Sequence, residues 1–478
     1  MVVLEVHRRP PSVLERYYLC RGLEKYYSNF NITVQYRSKV TPLTLSSALR
    51  AMVSENTWLT HNFYKLDEQD NALVNGLNHE IRIVEKILFE DVVRFESIDV
   101  FDGTTIGYLN SFLIPMNVEN LPLWKIIVLD DREGHQYVSG LFDHSIFDGM
   151  SGVQFMKDLA VQLEKAEDQY EEVIFDYVRE SQVLPAVITP PIEAVRDLYL
   201  LSYLDIAKYY LSKYLPTFWN FFERFKKLFE KNLFKPDFGV NPIFRAGIVK
   251  KDTDTKFRIV NFTNQQVDEV SQFCRVNDMT VTPYFNVIAA KCLQETVFKS
   301  VDPGTEFSTL NLIAVNGRRY YPQYKDFLYG VMVCGDPVVL PPISSDLISY
   351  MKYFHKCMME NIKSRVSFKL VGLYRFYNFW DFFSLKLNKR EGRFSLTISN
   401  LGKIVPTNGK FDIENMYFGL NTGVVYHFIL NMSTTEKGGL QIVFGSLPEY
   451  EELYENEKKV MDIFVDKFQE MVLNYIKK

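Results

Sequence analysis

The run from Tyr137 to Gly149 constrains this chain most, because it reads as strand, turn and helix start within a few residues. Tyr137-Val138-Ser139-Gly140-Leu141 suits a strand, and Met150 to Leu163 suits a helix. Between them stands Leu141-Phe142-Asp143-His144-Ser145-Ile146-Phe147-Asp148-Gly149, which puts His144 on a strand-to-helix turn. A neutral imidazole on such a turn can project into a cleft and take a proton near neutral pH. His144 is therefore the candidate general base. Asp148, four residues on, fixes the turn or pairs with a basic group. An aspartate before a glycine at a helix start is also ordinary capping.

A chain of 478 residues ordinarily splits into two or more domains. Its 47% apolar and 24% charged residues fit a folded globular protein. A net charge of -5 gives no reason to expect nucleic acid as a partner. Cys20, Cys274, Cys292, Cys334 and Cys357 form no CxxC pair, which suits a reducing compartment and no structural zinc. His61, His79, His135 and His355 show no ligand spacing with acids or cysteines, so no metal is expected. The N-terminus lacks a signal-peptide pattern, and no run of about 18 apolar residues predicts a membrane span.

Three segments follow from the pattern. Residues 1–185 predict a helix from Leu14 to Tyr26, a strand from Phe30 to Tyr36, and a helix from Thr44 to Asn56 with Thr44 as N-cap. Strands from Trp124 to Asp130 and from Gln136 to Asp143 lead into the His144 turn. Residues 186–236 form an aromatic and basic insert or crossover, broken by Pro185, Pro190, Pro191 and Pro216. Basic helices with a wide aromatic face suit a membrane interface, and a helical hairpin packed on the body fits as well. Residues 237–478 predict strands from Phe257 to Phe262, Thr309 to Val315, Gly330 to Val333, Phe394 to Ser399 and Gly439 to Gly445. Helices are expected from Gln265 to Arg275, from Thr282-Pro283 through Glu295, and from Leu447 to Ile476. Strands and helices in both outer segments predict an α/β fold with two domains.

Several blocks now carry a resemblance. His144-Ser145-Ile146-Phe147-Asp148-Gly149 matches an HxxxDG motif. Leu14-Glu15-Arg16-Tyr17-Tyr18 with Tyr27-Ser28-Asn29-Phe30, then Thr280-Val281-Thr282-Pro283-Tyr284, then Ser399-Asn400-Leu401-Gly402, then Gly419 and Gly423 follow in order. In that order the chain resembles the fungal alcohol acetyltransferase family, within the group sharing the chloramphenicol acetyltransferase fold and the peptide-synthetase condensation domains. The wider group often has a second histidine where this chain has Asp143. The plant branch's Asp-Phe-Gly-Trp-Gly motif is not met.

The resemblance implies two chloramphenicol acetyltransferase-like domains with a central tunnel, and acetyl-CoA as co-substrate. It implies that His144 deprotonates the acceptor as that atom attacks the acetyl thioester, with no acyl-enzyme. Asn400, or Ser399, would stabilise the oxyanion. Tyr329 lines the tunnel or the core. Arg318 braces Asp148, meets a CoA phosphate, or sits in a solvated turn, and Lys403 is a further phosphate candidate. His427 falls on a polar strand face. The acceptor is read as the amine of a lipophilic long-chain amino alcohol, as in a branch acting on a sphingoid-base analogue. The alternatives are alcohol O-acetylation and a non-catalytic binding protein. No Gly-x-Ser-x-Gly elbow supports a serine hydrolase. A monomer is expected, on the cytosolic side and peripheral to endoplasmic reticulum or lipid droplets. The aromatic insert, and secondarily the terminal helix, would touch the membrane.

Overall fold

Apolar strands with both faces covered build two mixed sheets. The computed structural model describes residues 7–27, 29–66, 78–184, 197–215, 217–218, 241–245, 254–320, 327–389 and 394–477. The first sheet has the spatial order Ile413–Leu420, Phe30–Tyr36, Gln136–Phe142, Trp124–Asp130 and Val93–Ser97. Only its last pair is parallel. The second has the order Lys256–Phe262, Gly439–Ser446, Tyr426–Thr435, Phe394–Lys403, Thr309–Asn316 and Val333–Leu340. Its three inner strands from Tyr426–Thr435 to Thr309–Asn316 run parallel.

Each sheet buries one face under helices. Leu45, Leu49 and Met52 of the helix Pro42–Glu55 share a core with Phe155, Met156 and Leu159 of the helix Gly149–Leu163. The helices Val281–Glu295, Leu347–Lys363 and Val460–Tyr475 cover the second sheet through Ile288, Met351 and Phe464. A third cluster joins the N-terminal helix Val13–Leu23 to Val315, Val331, Phe368 and Phe383.

Several expectations are corrected. Thr41, not Thr44, caps its helix: Thr41 Oγ1 accepts from the Thr44 N–H, and Thr44 Oγ1 accepts from the Thr41 N–H. Pro42 opens that helix, a position where its missing N–H costs nothing. Gly330 lies in a bend, Val331 and Met332 are loop, and the strand begins at Val333. The terminal helix starts at Val460, because a 3-10 turn at Pro448–Glu452 and a short hairpin precede it. His427 is not on a polar face. It is 1% exposed, beside Phe244 and hydrogen-bonded to Tyr450. The strand Ile413–Leu420 lies in the 237–478 stretch yet pairs with Phe30–Tyr36 in the first sheet. Of the aromatic insert, the helix Tyr203–Tyr214 is described. Phe221, Phe222, Phe225 and Phe229 lie outside the described residues.

The chain passes from the first sheet to the second through Asn421-Thr422-Gly423. Asn421 Oδ1 accepts from the Thr255 hydroxyl at 2.9 Å and from the Gly423 N–H at 3.0 Å. Gly423 has φ +51°, and a Cβ there would stand 2.3 Å from the Tyr26 carbonyl oxygen and 2.4 Å from that of Tyr27. Only glycine meets both conditions without strain. Gly423→Ala is expected to cost about 1–3 kcal/mol, read as a lower urea midpoint at unchanged slope.

Candidate active site

Strand Gln136–Phe142 stops at Asp143, and helix Gly149–Leu163 starts with Asp148 as N-cap. Asp148 Oδ1 accepts from the Ser151 N–H at 2.9 Å. Its other oxygen accepts from Arg318 Nη1 at 2.6 Å and from the Met332 N–H at 2.8 Å. Asp148 is thus both a helix cap and half of an ion pair, with side chains 3% and 7% exposed for Asp148 and Arg318. Burial pushes the Asp148 carboxyl up, but the Arg318 charge and these hydrogen bonds outweigh it and hold it below the ordinary value.

Arg318 follows the strand Thr309–Asn316 in a 3-10 turn. Its Nε donates to the Phe327 carbonyl, and its Nη2 reaches Ser151 Oγ and the Leu328 and Gly330 carbonyls. Each guanidinium nitrogen has a partner. Arg318 braces the turn, which leaves it no nitrogen to offer a CoA phosphate.

His144 is 7% exposed. Its ring stacks on Tyr18 with centroids 4.0 Å apart and planes at 11°, and Phe30 meets it edge-on at 5.3 Å. Burial, then the Arg21 guanidinium, push its pKa down to about 4, against Asp148 and the backbone carbonyls of His144 and Phe147. The ring is therefore neutral at neutral pH. Nδ1 is buried without a hydrogen-bond partner, which leaves Nε2 as the nitrogen to meet a substrate.

A cavity of about 240 Å³ lies against His144. Tyr17, Tyr18, Ser367, Thr397, Ser399 and Tyr426 are among its lining residues. The other nearby side chain, Asp143, opens on a second cavity of about 340 Å³ with Gly22, Lys25 and Asn29. Asp143 Oδ1 accepts from the Ser145 N–H and hydroxyl, and burial pushes its pKa up.

The remaining candidates divide. Ser399 lines the His144 cavity. Asn400 does not: alternation turns it to the opposite face, level with the core residue Met432, and its Oδ1 accepts from the Gly402 N–H at 2.8 Å. Tyr329 is also off the cavity, since its hydroxyl donates to Asp158 Oδ2 at 2.7 Å within the first core. Lys403 ends its strand exposed and does not line the cavity. His135 does meet acids, contrary to expectation. It forms an exposed turn cluster with Asp131 and Glu133, held by its own hydrogen bonds. Tyr18, Arg21 and Ser151 had no assigned role. The Tyr18/Arg21 spacing of three within a helical block was the available signal for the first two.

A profile of the alcohol acetyltransferase family matches residues 12–468. The chain belongs to the alcohol acetyltransferase family. Alcohol O-acetyltransferase 2 of Saccharomyces cerevisiae is 22% identical over 91% of this chain and 90% of its own length. A trichothecene 15-O-acetyltransferase of Fusarium sporotrichioides superposes with a TM-score of 0.65 at 11% identity, covering 98% of this chain and 95% of that one. The first condensation domain of the calcium-dependent antibiotic synthetase gives 0.62 at 13% identity, over 98% and 97%. The chain shares the α/β fold of these two structures, and the family's chemistry is acyl transfer from acetyl-CoA.

Asp148→Asn strands the buried Arg318 charge. It is expected to cost about 3–5 kcal/mol by urea denaturation. Adding Arg318→Met should recover part of that loss, because the two residues form one unit.

Proposed function

We propose that this acetyltransferase moves the acetyl group of acetyl-CoA to the hydroxyl of a lipophilic alcohol, with His144 as general base. The observation that carries this reading is the neutral His144 ring, held on the HxxxDG turn with Nε2 free, against an apolar, tyrosine-rich cavity. Nε2 takes the hydroxyl proton as the oxygen attacks the thioester carbonyl. The tetrahedral intermediate collapses, the C–S bond breaks, and the CoA thiolate takes the proton back from the imidazolium. Ser399, rather than Asn400, offers a strand hydroxyl lining the cavity to the oxyanion. The cavity thiol, Cys334, is pushed up to about 12 by burial, so direct transfer needs no competing acyl-cysteine. Two domains with a channel between their sheets complete this reading.

An alcohol replaces the amine as the favoured acceptor. The family description and the yeast relative's name both specify alcohols, and no described acidic side chain lines the His144 cavity to select a cationic amine. His144→Ala should fold as the parent does and lose about 10²–10⁴-fold in acetyl transfer. Acetyl-CoA would be offered with alcohols and long-chain amino alcohols in parallel, and products weighed by mass spectrometry. Acetate esters support the reading. Amides alone restore the amine acceptor, and no product with any acceptor favours a binding protein.

Peripheral membrane contact on the cytosolic side belongs to the same proposal. The helix Tyr203–Tyr214 presents Tyr203 at 93%, Leu204 at 63% and Tyr214 at 67% exposure. The terminal helix is not a second contact, since Val460, Met461, Phe464, Phe468 and Val472 are buried in the second core. Among the described residues no helix is long and apolar enough to cross a membrane. The protein should float with liposomes carrying anionic lipids, and replacing Tyr203, Leu204 and Tyr214 by serine should reduce flotation. Recovery of the parent wholly in the soluble fraction would end this part of the proposal.

A further inference from the structure

Tyr17 and Tyr18 carry part of the family resemblance but no step of acetyl transfer. Their helix is anchored from outside the cavity. Ser12 and Glu15 form a reciprocal capping box, and Arg9 grips both Glu15 oxygens at 2.8 Å. The anchor sets Tyr18 face to face with His144 at 4.0 Å. A stacked ring on one side and Phe30 edge-on leave the imidazole little freedom to turn.

Arg21 lies one turn further along, 1% exposed. Its guanidinium carbon is 5.6 Å from the Tyr17 and Tyr18 ring centroids, and Nη2 donates to the Tyr27 carbonyl at 2.7 Å. Its Nε is buried without a partner, and among the described residues no carboxylate forms an ion pair with it. A buried cation without a counter-ion keeps its field.

The charged and titratable groups around His144 and its cavity come from several elements. Tyr17, Tyr18 and Arg21 stand on the first helix, Asp143 and Asp148 on its own turn, and Cys334, Tyr374 and Tyr426 line the rest of the cavity. Arg318, beyond Asp148, pairs with that carboxylate, which still pulls the His144 pKa upward. Burial raises the Asp143 pKa, while Arg21 pulls it the other way. Arg21 is thus a buried charge without a direct ion-pair partner among the described residues.

We propose that Tyr18 and Arg21 are positioning residues for the His144 base: Tyr18 fixes the plane of the ring, and Arg21 supplies a permanent positive charge beside it. The positive charge disfavours a resting imidazolium and favours the anion that forms when the alcohol attacks. The kinetic half of this inference rests on acetyl transfer at His144; the electrostatic half does not.

The test therefore uses two readouts on the full chain. Imidazole NMR titration, with the His144 signals assigned by their loss in His144→Gln, reads the ring directly. Arg21→Gln, which can still reach the Tyr27 carbonyl, and Arg21→Met should each raise the His144 titration by about one unit. Arg21→Lys should leave it near the parent value. Tyr18→Phe keeps the stack and should keep kcat within about twofold, whereas Tyr18→Leu should lose about ten- to a hundredfold in kcat with KM for acetyl-CoA little changed. A folded Arg21→Gln or Arg21→Met protein whose His144 titrates like the parent overturns the role of Arg21. Full kcat in Tyr18→Leu overturns that of Tyr18. If the parent acetylates no alcohol, the proposed function fails, and the NMR titration still decides the Arg21 half. If both neutral Arg21 variants unfold, the Tyr18 pair decides the positioning half.

Discussion

The buried Asp148–Arg318 pair fixes the turn that carries His144. Taking both charges out of water is costly, and the site repays it by bonding them almost completely. Asp148 accepts from Ser151, Arg318 and Met332, and Arg318 also reaches the carbonyls of Phe327, Leu328 and Gly330. One carboxylate thereby starts the helix of the first sheet and grips the segment between two strands of the second. His144 lies on the turn so fixed, and it shares its cavity with Ser399 and Thr397. A charge-assisted fork holds such a junction with more directional definition than apolar packing can.

Much of the first sheet and the turn was legible because the signals are local. The strand from Phe30 to Tyr36 shows its apolar character in its own residues and occupies the predicted range. The helix through Glu295 announces its start with Thr280 and Pro283. What stayed hidden depends on distant partners. The strand Ile413–Leu420 reads like its neighbours, and nothing in its residues says that it pairs with Phe30–Tyr36 instead of the strands adjacent in sequence. Alternation alone separates Ser399 from Asn400, but which of them faces the cavity depends on which side the helices cover. Tyr329 shows an identical sequence signal whether it lines a cavity or, as here, bonds Asp158 inside the core. The role of Tyr18 required its contact with His144, far along the chain.

For the proposed transfer, the low proton affinity of His144 fits a base that works only in the transition state. Burial and Arg21 hold the ring neutral. A neutral ring can accept a hydrogen bond from an incoming hydroxyl without first losing a proton. As the oxygen adds to the thioester, negative charge grows on the carbonyl oxygen beside the ring. In a water-poor cavity the imidazolium and that oxyanion attract strongly, so the base strengthens as it is needed. In the proposed reaction the same imidazolium would then stand beside Arg21, whose charge favours return of the proton to the leaving thiolate. A ring stabilised in its charged form by a carboxylate would bind the first proton more readily and release it less readily. Asp148 pulls in that direction, but burial and Arg21 outweigh it. The brace therefore positions the ring, while the first helix, which carries Arg21, helps to keep it a weak base.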